Sequence, residues 1–248
     1  MNVAYRTDVG KVRQKNEDAV MTLFNSRNDI FVCAVADGMG GHKAGGTAST
    51  TALNILRKKL IDLDGENLEE YVKNLEDIIK NINDEILKKS NKDDNLKGMG
   101  TTITVCIIFN MKMVVFHIGD SRVYTINKNG ITQITKDHSL VQKLVDEGKI
   151  TKDEAAVHPN RNILLKALGS NEKLIPDVKE VVLQKPTKVL MCTDGLTSLV
   201  TDEEIEEIVK NNSCDAAADK LIFTANKAGG LDNISVIVFE TGVNDGKQ

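Results

Sequence analysis

Apolar residues in the first third of the chain follow the period of a β-strand and then that of a helix. Three β-like segments lie at residues 3–8, 19–24 and 30–36. Residues 46–61 and 67–89 then carry apolar side chains at helical spacing, which gives each segment one apolar face. The pattern predicts three strands followed by a pair of amphipathic helices.

The middle of the chain predicts two β-hairpins. Apolar, β-branched segments at 101–109 and 112–118 are separated by two residues. Segments at 121–127 and 131–135 flank an Asn-Gly dipeptide, which is a strong hairpin signal. Because such short turns join neighbouring strands, these hairpins indicate antiparallel sheets.

Residues 139–169 are more polar and helix-like, and we expect them to form an inserted surface segment. After this segment come two strands, two helices and a final strand, at 177–183, 188–193, 202–211, 214–228 and 233–240. Paired helices and hairpins favour an α+β sandwich over an alternating βαβ fold. Without an internal repeat or linker, residues 1–248 are expected to form a single domain.

Composition and charge exclude several classes of protein. The 248 residues are 41% hydrophobic and 27% charged, which suits a globular domain with a sizeable core. A net charge of −4 does not favour nucleic acid or an anionic membrane as partner. No apolar stretch approaches the ~20 residues that span a bilayer, and the N-terminus has no apolar signal core. We therefore expect a cytoplasmic protein.

The four cysteines, at positions 33, 106, 192 and 214, favour the same compartment. Three of them lie in strand-like apolar runs, and no two have C-x-x-C spacing. They are expected to pack as small, reduced, apolar side chains.

Acidic residues lie at the ends of strongly apolar strands, each with a glycine close by. They are Asp37, Asp120, Asp194 and Asp232, and Glu17 with Asp18 forms a fifth acidic site before another strand. Any one of them alone is an ordinary turn residue. Carboxylates gathered at one edge of a sandwich would repel each other unless a cation lay among them. A purely oxygen ligand set favours Mg²⁺ or Mn²⁺.

Other cation and phosphate sites fit the sequence less well. The histidines at 42, 117, 138 and 158 lack zinc-site spacing. The glycine-rich run at 38–47 lacks the ending of a P-loop, and no cysteine begins a C-x₅-R sequence. Glycines at the start of this run would still let backbone approach a metal or a phosphate closely.

Two further residues, which lie close in sequence to these acids, are candidates for a role in the site. Arg13 precedes Glu17 by four residues and would bind a phosphate through two N–H groups if a metal site lay beside it. His42, judged without its surroundings, fits a surface loop as well as a catalytic role.

Eight short motifs, in this order, resemble those of the metal-dependent type 2C serine/threonine protein phosphatases, bacterial branch. They are RQKNED (13–18), VADGMGGH (35–42), GMGTT (98–102), GDSR (119–122), KDH (136–138), KALG (166–169), CTDGLT (192–197) and GGLDNIS (229–235). Together they span nearly the whole chain. The resemblance implies a four-layer α/β/β/α sandwich, in which helix pairs flank two central antiparallel sheets.

The resemblance also implies a metal centre of two Mn²⁺ or Mg²⁺ ions, with a third position in bacterial relatives. Asp37 would bridge the two ions, and the carbonyl of Gly38 would bind the second. Asp194 and Asp232 would hold the first ion. Asp120, together with Asp194, matches the third position.

The remaining roles implied by the resemblance concern water, substrate and proton transfer. Glu17 and Asp18 would act through metal-bound water, and Arg13 would hold the substrate phosphate. His42 would be the general acid that protonates the leaving Ser or Thr oxygen, after attack by a metal-activated bridging water. Two departures from the family, Lys166 and Gly46, lie outside these residues, and the segment at 139–169 matches the variable flap of the family.

The resulting prediction is a phosphatase that acts on phosphoserine and phosphothreonine in proteins. The alternatives are another metal-dependent phosphoester hydrolase and a phosphatase-like binding module without activity. Family analogy implies a Ser/Thr protein kinase as functional partner. We expect a monomer, with no nucleic-acid or membrane partner.

Overall fold

The computed structural model of the protein describes residues 2–27, 29–40, 44–63, 67–170 and 174–241. Up to the middle of the chain the elements are β1 (Asn2–Asp8), β2 (Asp18–Asn25), β3 (Ile30–Met39), α1 (Ala44–Asp62), α2 (Leu68–Lys92), β4 (Gly100–Thr101), β5 (Ile103–Phe109) and β6 (Lys112–Ile118). The rest are β7 (Arg122–Asn127), β8 (Gly130–Gln133), α3 (Leu140–Asp146), α4 (Lys152–Ala156), β9 (Asp177–Val182), β10 (Thr187–Cys192), α5 (Asp194–Thr197), α6 (Asp202–Lys210), α7 (Cys214–Lys227) and β11 (Ile234–Thr241). A short 3-10 helix, Asp94–Leu96, follows α2.

The strands form two antiparallel sheets. Sheet A has the order β1-β11-β10-β7-β8, and sheet B has the order β2-β3-β5-β6-β9, with β4 paired to β3. The two predicted hairpins are present as β5–β6 and β7–β8. Strands from both ends of the sequence therefore meet in sheet A, where β1 pairs with β11.

Three apolar clusters arrange these elements in layers. One cluster joins α1 and α2 to the outer face of sheet B, and a second joins α5, α6 and α7 to the outer face of sheet A. The third lies between the sheets, where the rings of Phe31 and Phe239 meet edge to face at 5.5 Å. The predicted α+β fold with two central antiparallel sheets is confirmed, and helices pack on the outer face of each sheet.

Some boundaries differ from those predicted. β3 runs to Met39 rather than ending at residue 36, because Gly38 and Met39 pair with Thr101 and Gly100 of β4. Asp37 thus lies inside a strand and not after it. The helix α5 was not predicted, since its four residues are too few to show a period.

The segment at 139–169 contains the short helices α3 and α4, neither of which has a buried residue. Cys33, Cys106, Cys192 and Cys214 are all buried as free thiols. No helix within the described part of the chain is long and apolar enough to cross a membrane.

Candidate active site

Four of the predicted acids come together where strand ends of the two sheets meet. Asp18 and Asp37 are direct partners in the pairing of β2 with β3. Asp194 follows β10 and Asp232 precedes its neighbour β11, so sheet A supplies a second pair. Asp37 and Asp194 are close enough for their carboxyl groups to share a hydrogen bond. The contact links the two sheets at the site.

Asp18 is held deep in this group. Its Oδ2 accepts hydrogen bonds from Thr193 Oγ1 at 2.8 Å and from Ser235 Oγ at 2.7 Å. Its Oδ1 is buried without a hydrogen-bond partner among the described residues. Burial, opposed by these two hydrogen bonds, raises the pKa of Asp18 to about 7. An unpartnered buried carboxylate oxygen is a suitable neighbour for a cation or for water.

In three of the other acids, too, the surroundings disfavour the ionised form of the carboxyl group. Burial raises the pKa of Asp37, Asp120 and Asp194, and repulsion from neighbouring carboxylates raises each further. For Asp37 these neighbours are Asp18, Asp194, Asp120 and Asp232 in order of effect. The fold therefore gathers five carboxyl groups in a place where ionising all of them is costly. A bound cation would relieve that cost.

Close backbone packing places Asp37 beside the start of α1. A Cβ on Gly38 would lie 2.2 Å from the carbonyl oxygen of Gly45 and 2.6 Å from that of Glu17. A Cβ on Gly45 would in turn lie 2.5 Å from the oxygen of Gly38. Only glycine fits at either position, so the sequence DG…GG is a packing requirement of the site.

Glu17 faces the beginning of α1. Its Oε1 accepts a hydrogen bond of 3.4 Å from the Gly46 backbone N–H, and its own carbonyl accepts one of 2.5 Å from Ser49 Oγ. An acid at this position is favoured by the free N–H groups and the dipole of the helix. The structure thus brings Glu17 next to Gly38, while its carboxylate is partly engaged with the helix.

Arg13 lies at the exposed edge of the acid group. Its Nη2 donates to Asp232 Oδ2 at 2.8 Å, and its side chain is 53% exposed. This hydrogen bond raises the pKa of Arg13 above its ordinary value. An exposed guanidinium beside buried carboxylates is well placed to meet an anion arriving from solvent.

Asp120 is joined to the rest of the site through its neighbours. Gly119 has a φ of +119°, and its backbone N–H donates to His138 Nδ1 at 3.1 Å. Ser121 Oγ lies 3.0 Å from Thr102 Oγ1, which accepts from the Asp37 backbone N–H at 2.9 Å. The loop that carries Asp120 is therefore tied to the strand that carries Asp37.

The structure brings most of the predicted residues into one site. They are Arg13, Glu17, Asp18, Asp37, Gly38, Asp120, Asp194 and Asp232. His42 lies outside the described residues. Within the described ranges, no three side chains of Asp, Glu, His or Cys form a ready metal-binding group. A metal site built on these acids would draw further ligands from backbone carbonyls and water.

Sequence reasoning missed the residues that position the acids. Thr193 and Ser235 hold Asp18, and Thr102 holds Asp37. Asn233 also contacts the segment that carries Arg13 and Glu17. Their position in the sequence could have identified them, since each of these four residues lies within two residues of a predicted acid or inside a matched motif.

Known proteins are similar to this chain over most of its length. A family model described as protein phosphatase 2C matches residues 10–222. The serine/threonine phosphatase stp of Listeria monocytogenes serotype 4b is 40% identical over 97% of this chain and 96% of its own. The solved serine/threonine phosphatase of S. agalactiae is 33% identical with a TM-score of 0.90, covering 96% of this chain and 98% of that one.

One solved structure contains metal. The catalytic domain of the serine/threonine protein phosphatase PstP, in complex with two manganese ions, is 35% identical to this chain with a TM-score of 0.83. The match covers 96% of both chains. The likeness therefore extends over the fold that carries the acid site described above.

Proposed function

Because this chain belongs to the protein phosphatase 2C family and is a serine/threonine phosphatase, we propose that its reaction takes place at the acid group where strand ends of the two sheets meet. The group consists of Asp18, Asp37, Asp120, Asp194 and Asp232. The observation that supports this most is the gathering of these mutually repelling carboxyls, four of which have a pKa raised by burial, beside the exposed Arg13. Its substrates are phosphoproteins.

We propose that Asp37, Gly38, Asp194 and Asp232 hold two divalent cations, Mn²⁺ or Mg²⁺. The orphaned Asp18 Oδ1 and the carboxyls with raised pKa support this, as does the dimanganese PstP relative. Such ions lower the pKa of bound water and neutralise charge that develops on a phosphoryl group. Glu17 and Asp18 would orient water, and Asp120 with Asp194 would hold a third ion.

Arg13 is proposed to bind the substrate phosphate. Its guanidinium contacts Asp232 and is more than half exposed, so an incoming phosphate can reach its N–H groups from solvent. Two parallel N–H···O bonds would fix the orientation of the phosphate as well as its position. Arg13 would therefore contribute to both substrate binding and alignment.

His42 remains, from the resemblance, the proposed general acid. A general acid helps most when the leaving group is a poor one, as the alkoxide of serine is. His42→Ala should therefore lower kcat on a phosphoserine peptide at least tenfold more than on p-nitrophenyl phosphate. Equal losses on the two substrates would argue against the acid role.

The proposed site is tested by measuring hydrolysis of phosphoserine and phosphothreonine peptides with Mn²⁺ and with EDTA. We expect activity that chelation abolishes and that Asp37→Asn or Asp194→Asn lowers by about three orders of magnitude or more, since an ion supplies several kcal/mol of transition-state stabilisation. Asp219→Asn, which alters an exposed ion pair with Arg6, is the control and should stay active. Full activity in EDTA would overturn the metal mechanism.

Finer points of context are also proposals. We propose a single domain with residues 139–169 as a flap, which the bridge between Ser139, its first residue, and Leu164, near its other end, supports. A monomer in the cytoplasm, opposed by a Ser/Thr kinase, is the simplest setting. Light scattering, cell fractionation and a kinase-dependent phosphoproteome would test these statements in turn.

A further inference from the structure

The loop at residues 9–17, which we name the Arg13 loop, connects β1 to β2 and carries the proposed phosphate-binding residue. It has little apolar anchoring, since Val12 is 61% exposed and the Arg13 side chain is 53% exposed. A loop without buried apolar contacts depends on hydrogen bonds for a fixed conformation. Many of the hydrogen bonds that hold this loop come from Gly230 and Asn233.

A single buried side chain, that of Asn233, bonds both ends of the Arg13 loop. Its Nδ2 donates to the carbonyl of Val9 at 3.0 Å and to that of Lys15 at 2.9 Å. Its Oδ1 accepts from the backbone N–H of Glu17 at 2.8 Å. Both amide hydrogens and the oxygen are thus used on the loop backbone, and the residue is 5% exposed.

The backbone around Asn233 connects the same loop to the acid group. The Asn233 N–H donates to Asp232 Oδ1 at 2.8 Å, while Asp232 Oδ2 accepts from Arg13 at 2.8 Å. The carbonyl of Gly230 accepts from the N–H groups of Lys11 and Val12 at 2.7 and 3.2 Å. Residues 230–233 therefore hold the loop and Asp232 as one unit.

We propose that Asn233 is a positioning residue that fixes the Arg13 loop so that the guanidinium meets the substrate phosphate. The proposal rests on the phosphate-binding role proposed above for Arg13. Only an amide provides two donors and an acceptor in this geometry. A carboxylate at the same place would point an oxygen at the carbonyls of Val9 and Lys15, with nothing to donate to them.

The first test compares Asn233→Asp and Asn233→Ala with Asn83→Ala. Asn83 is a matched control, because it is also buried and also binds a loop backbone, through Gly169 N–H at 2.8 Å and the Ser170 carbonyl at 3.3 Å. Both Asn233 variants should raise KM for a phosphoserine peptide about tenfold or more, with a smaller change in kcat. Asn83→Ala should change neither constant by more than about threefold.

A double-mutant cycle with Arg13→Ala shows whether the effect passes through Arg13. In the Arg13→Ala background, Asn233→Asp should raise KM no further. An equal rise in both backgrounds, or a tenfold shift in the Mn²⁺ concentration for half-maximal activity, would overturn the proposal. In that case Asn233 would act on the metal site, through Glu17 and Asp18.

A readout without activity separates this proposal from the proposed function. Amide hydrogen exchange of residues 9–17 should become at least tenfold faster in both Asn233 variants and stay unchanged in Asn83→Ala. Unchanged exchange in a folded Asn233→Asp protein would refute the positioning role. Inactivity of the wild-type enzyme with Mn²⁺ would instead refute the proposed function.

Discussion

At the scale of single residues, the role of a polar side chain near the site follows from its hydrogen-bond partners rather than from its residue type. His117 is an example, because it is 2% exposed and is fully engaged on both ring nitrogens. Its Nδ1 lies 2.9 Å from Thr104 Oγ1, and its Nε2 lies 3.2 Å from the carbonyl of Lys136. The ring also stacks on that of His138 at 4.8 Å between centroids. It is a structural histidine of the sheet beneath Asp120.

His117 should make the fold sensitive to acid. Burial lowers the pKa of His117 from 6.5 to about 4, so the folded state keeps the ring neutral while the unfolded state takes up a proton below pH 6.5. The contribution of His117 to the free energy of unfolding is therefore fully present above pH 6.5 and is lost progressively as the pH falls toward 4. Each unit of difference in pKa corresponds to about 1.4 kcal/mol, which gives a loss of about 3 kcal/mol.

The measurement is urea unfolding of wild type and His117→Gln between pH 4 and pH 7.5. Comparing the two proteins cancels the contribution of the carboxyls, which both share. The free energy of unfolding of the wild type should fall relative to that of the variant as the pH decreases across this range. Parallel curves would show that this proton is not coupled to folding.

At the scale of secondary-structure elements, the contact of β3 with α1 determines where Asp37 lies. A Cβ at Gly45 would lie 2.5 Å from the Gly38 carbonyl oxygen, whereas a Cβ at the next residue, Gly46, would lie 3.6 Å from its nearest neighbours, which is an ordinary contact. These two adjacent glycines therefore form a natural pair for testing the contact. One is required by packing, and the other is not.

Gly45→Ala should destabilise the protein by about 1–3 kcal/mol, the usual cost of overpacking, and should lower kcat/KM because Gly38 and Glu17 must move. Gly46→Ala should be neutral or stabilising by up to about 1 kcal/mol, since alanine is the better helix former. Urea unfolding in EDTA and peptide hydrolysis with Mn²⁺ measure the two effects. Equal behaviour of the two variants would contradict the packing argument.

The same elements show what could be predicted from sequence. Hairpins such as β5–β6 and the helices α1 and α2 were predicted because their signals are local in the chain. β4 was not separated from the strand predicted at 101–109, and α5 was not predicted, since two and four residues carry no period. The acids were predicted as a group from their shared position at strand ends. The contacts of Asn233 with residues 9–17 were not, because they join parts of the chain more than 200 residues apart.

At the scale of the whole molecule, the residues that stabilise the fold and the residues proposed for catalysis lie in different places. Three apolar clusters between and outside the sheets provide the core, and the acid group lies at the ends of strands from both sheets. The acids raise one another's pKa, so the site costs the fold stability that the core must offset. A cation bound among them would return part of that stability.

This arrangement predicts an unusual pH dependence for the metal-free protein. Asp18, with a pKa raised to about 7, stays protonated in the folded state while the unfolded state ionises above about pH 3.8. The folded state then holds more protons, so stability falls as the pH rises from about 4 to 7. Asp37, Asp120 and Asp194 act in the same direction.

Thermal unfolding in EDTA and in Mn²⁺, at several pH values from 5 to 8, measures this coupling. The Tm in EDTA should fall with rising pH, and Mn²⁺ at a hundred times its Kd should restore about 2.7 kcal/mol for each site filled. Burial and the neighbouring carboxylates raise the pKa of Asp37, so keeping this carboxyl in the folded state at pH 8 costs stability that an amide does not cost. Asp37→Asn should therefore be more stable than wild type in EDTA at pH 8. The same variant should gain less from Mn²⁺, because a proposed bridging ligand is gone. If it is instead less stable in EDTA and gains as much from Mn²⁺ as the wild type, the carboxyl of Asp37 neither strains the fold nor binds the metal.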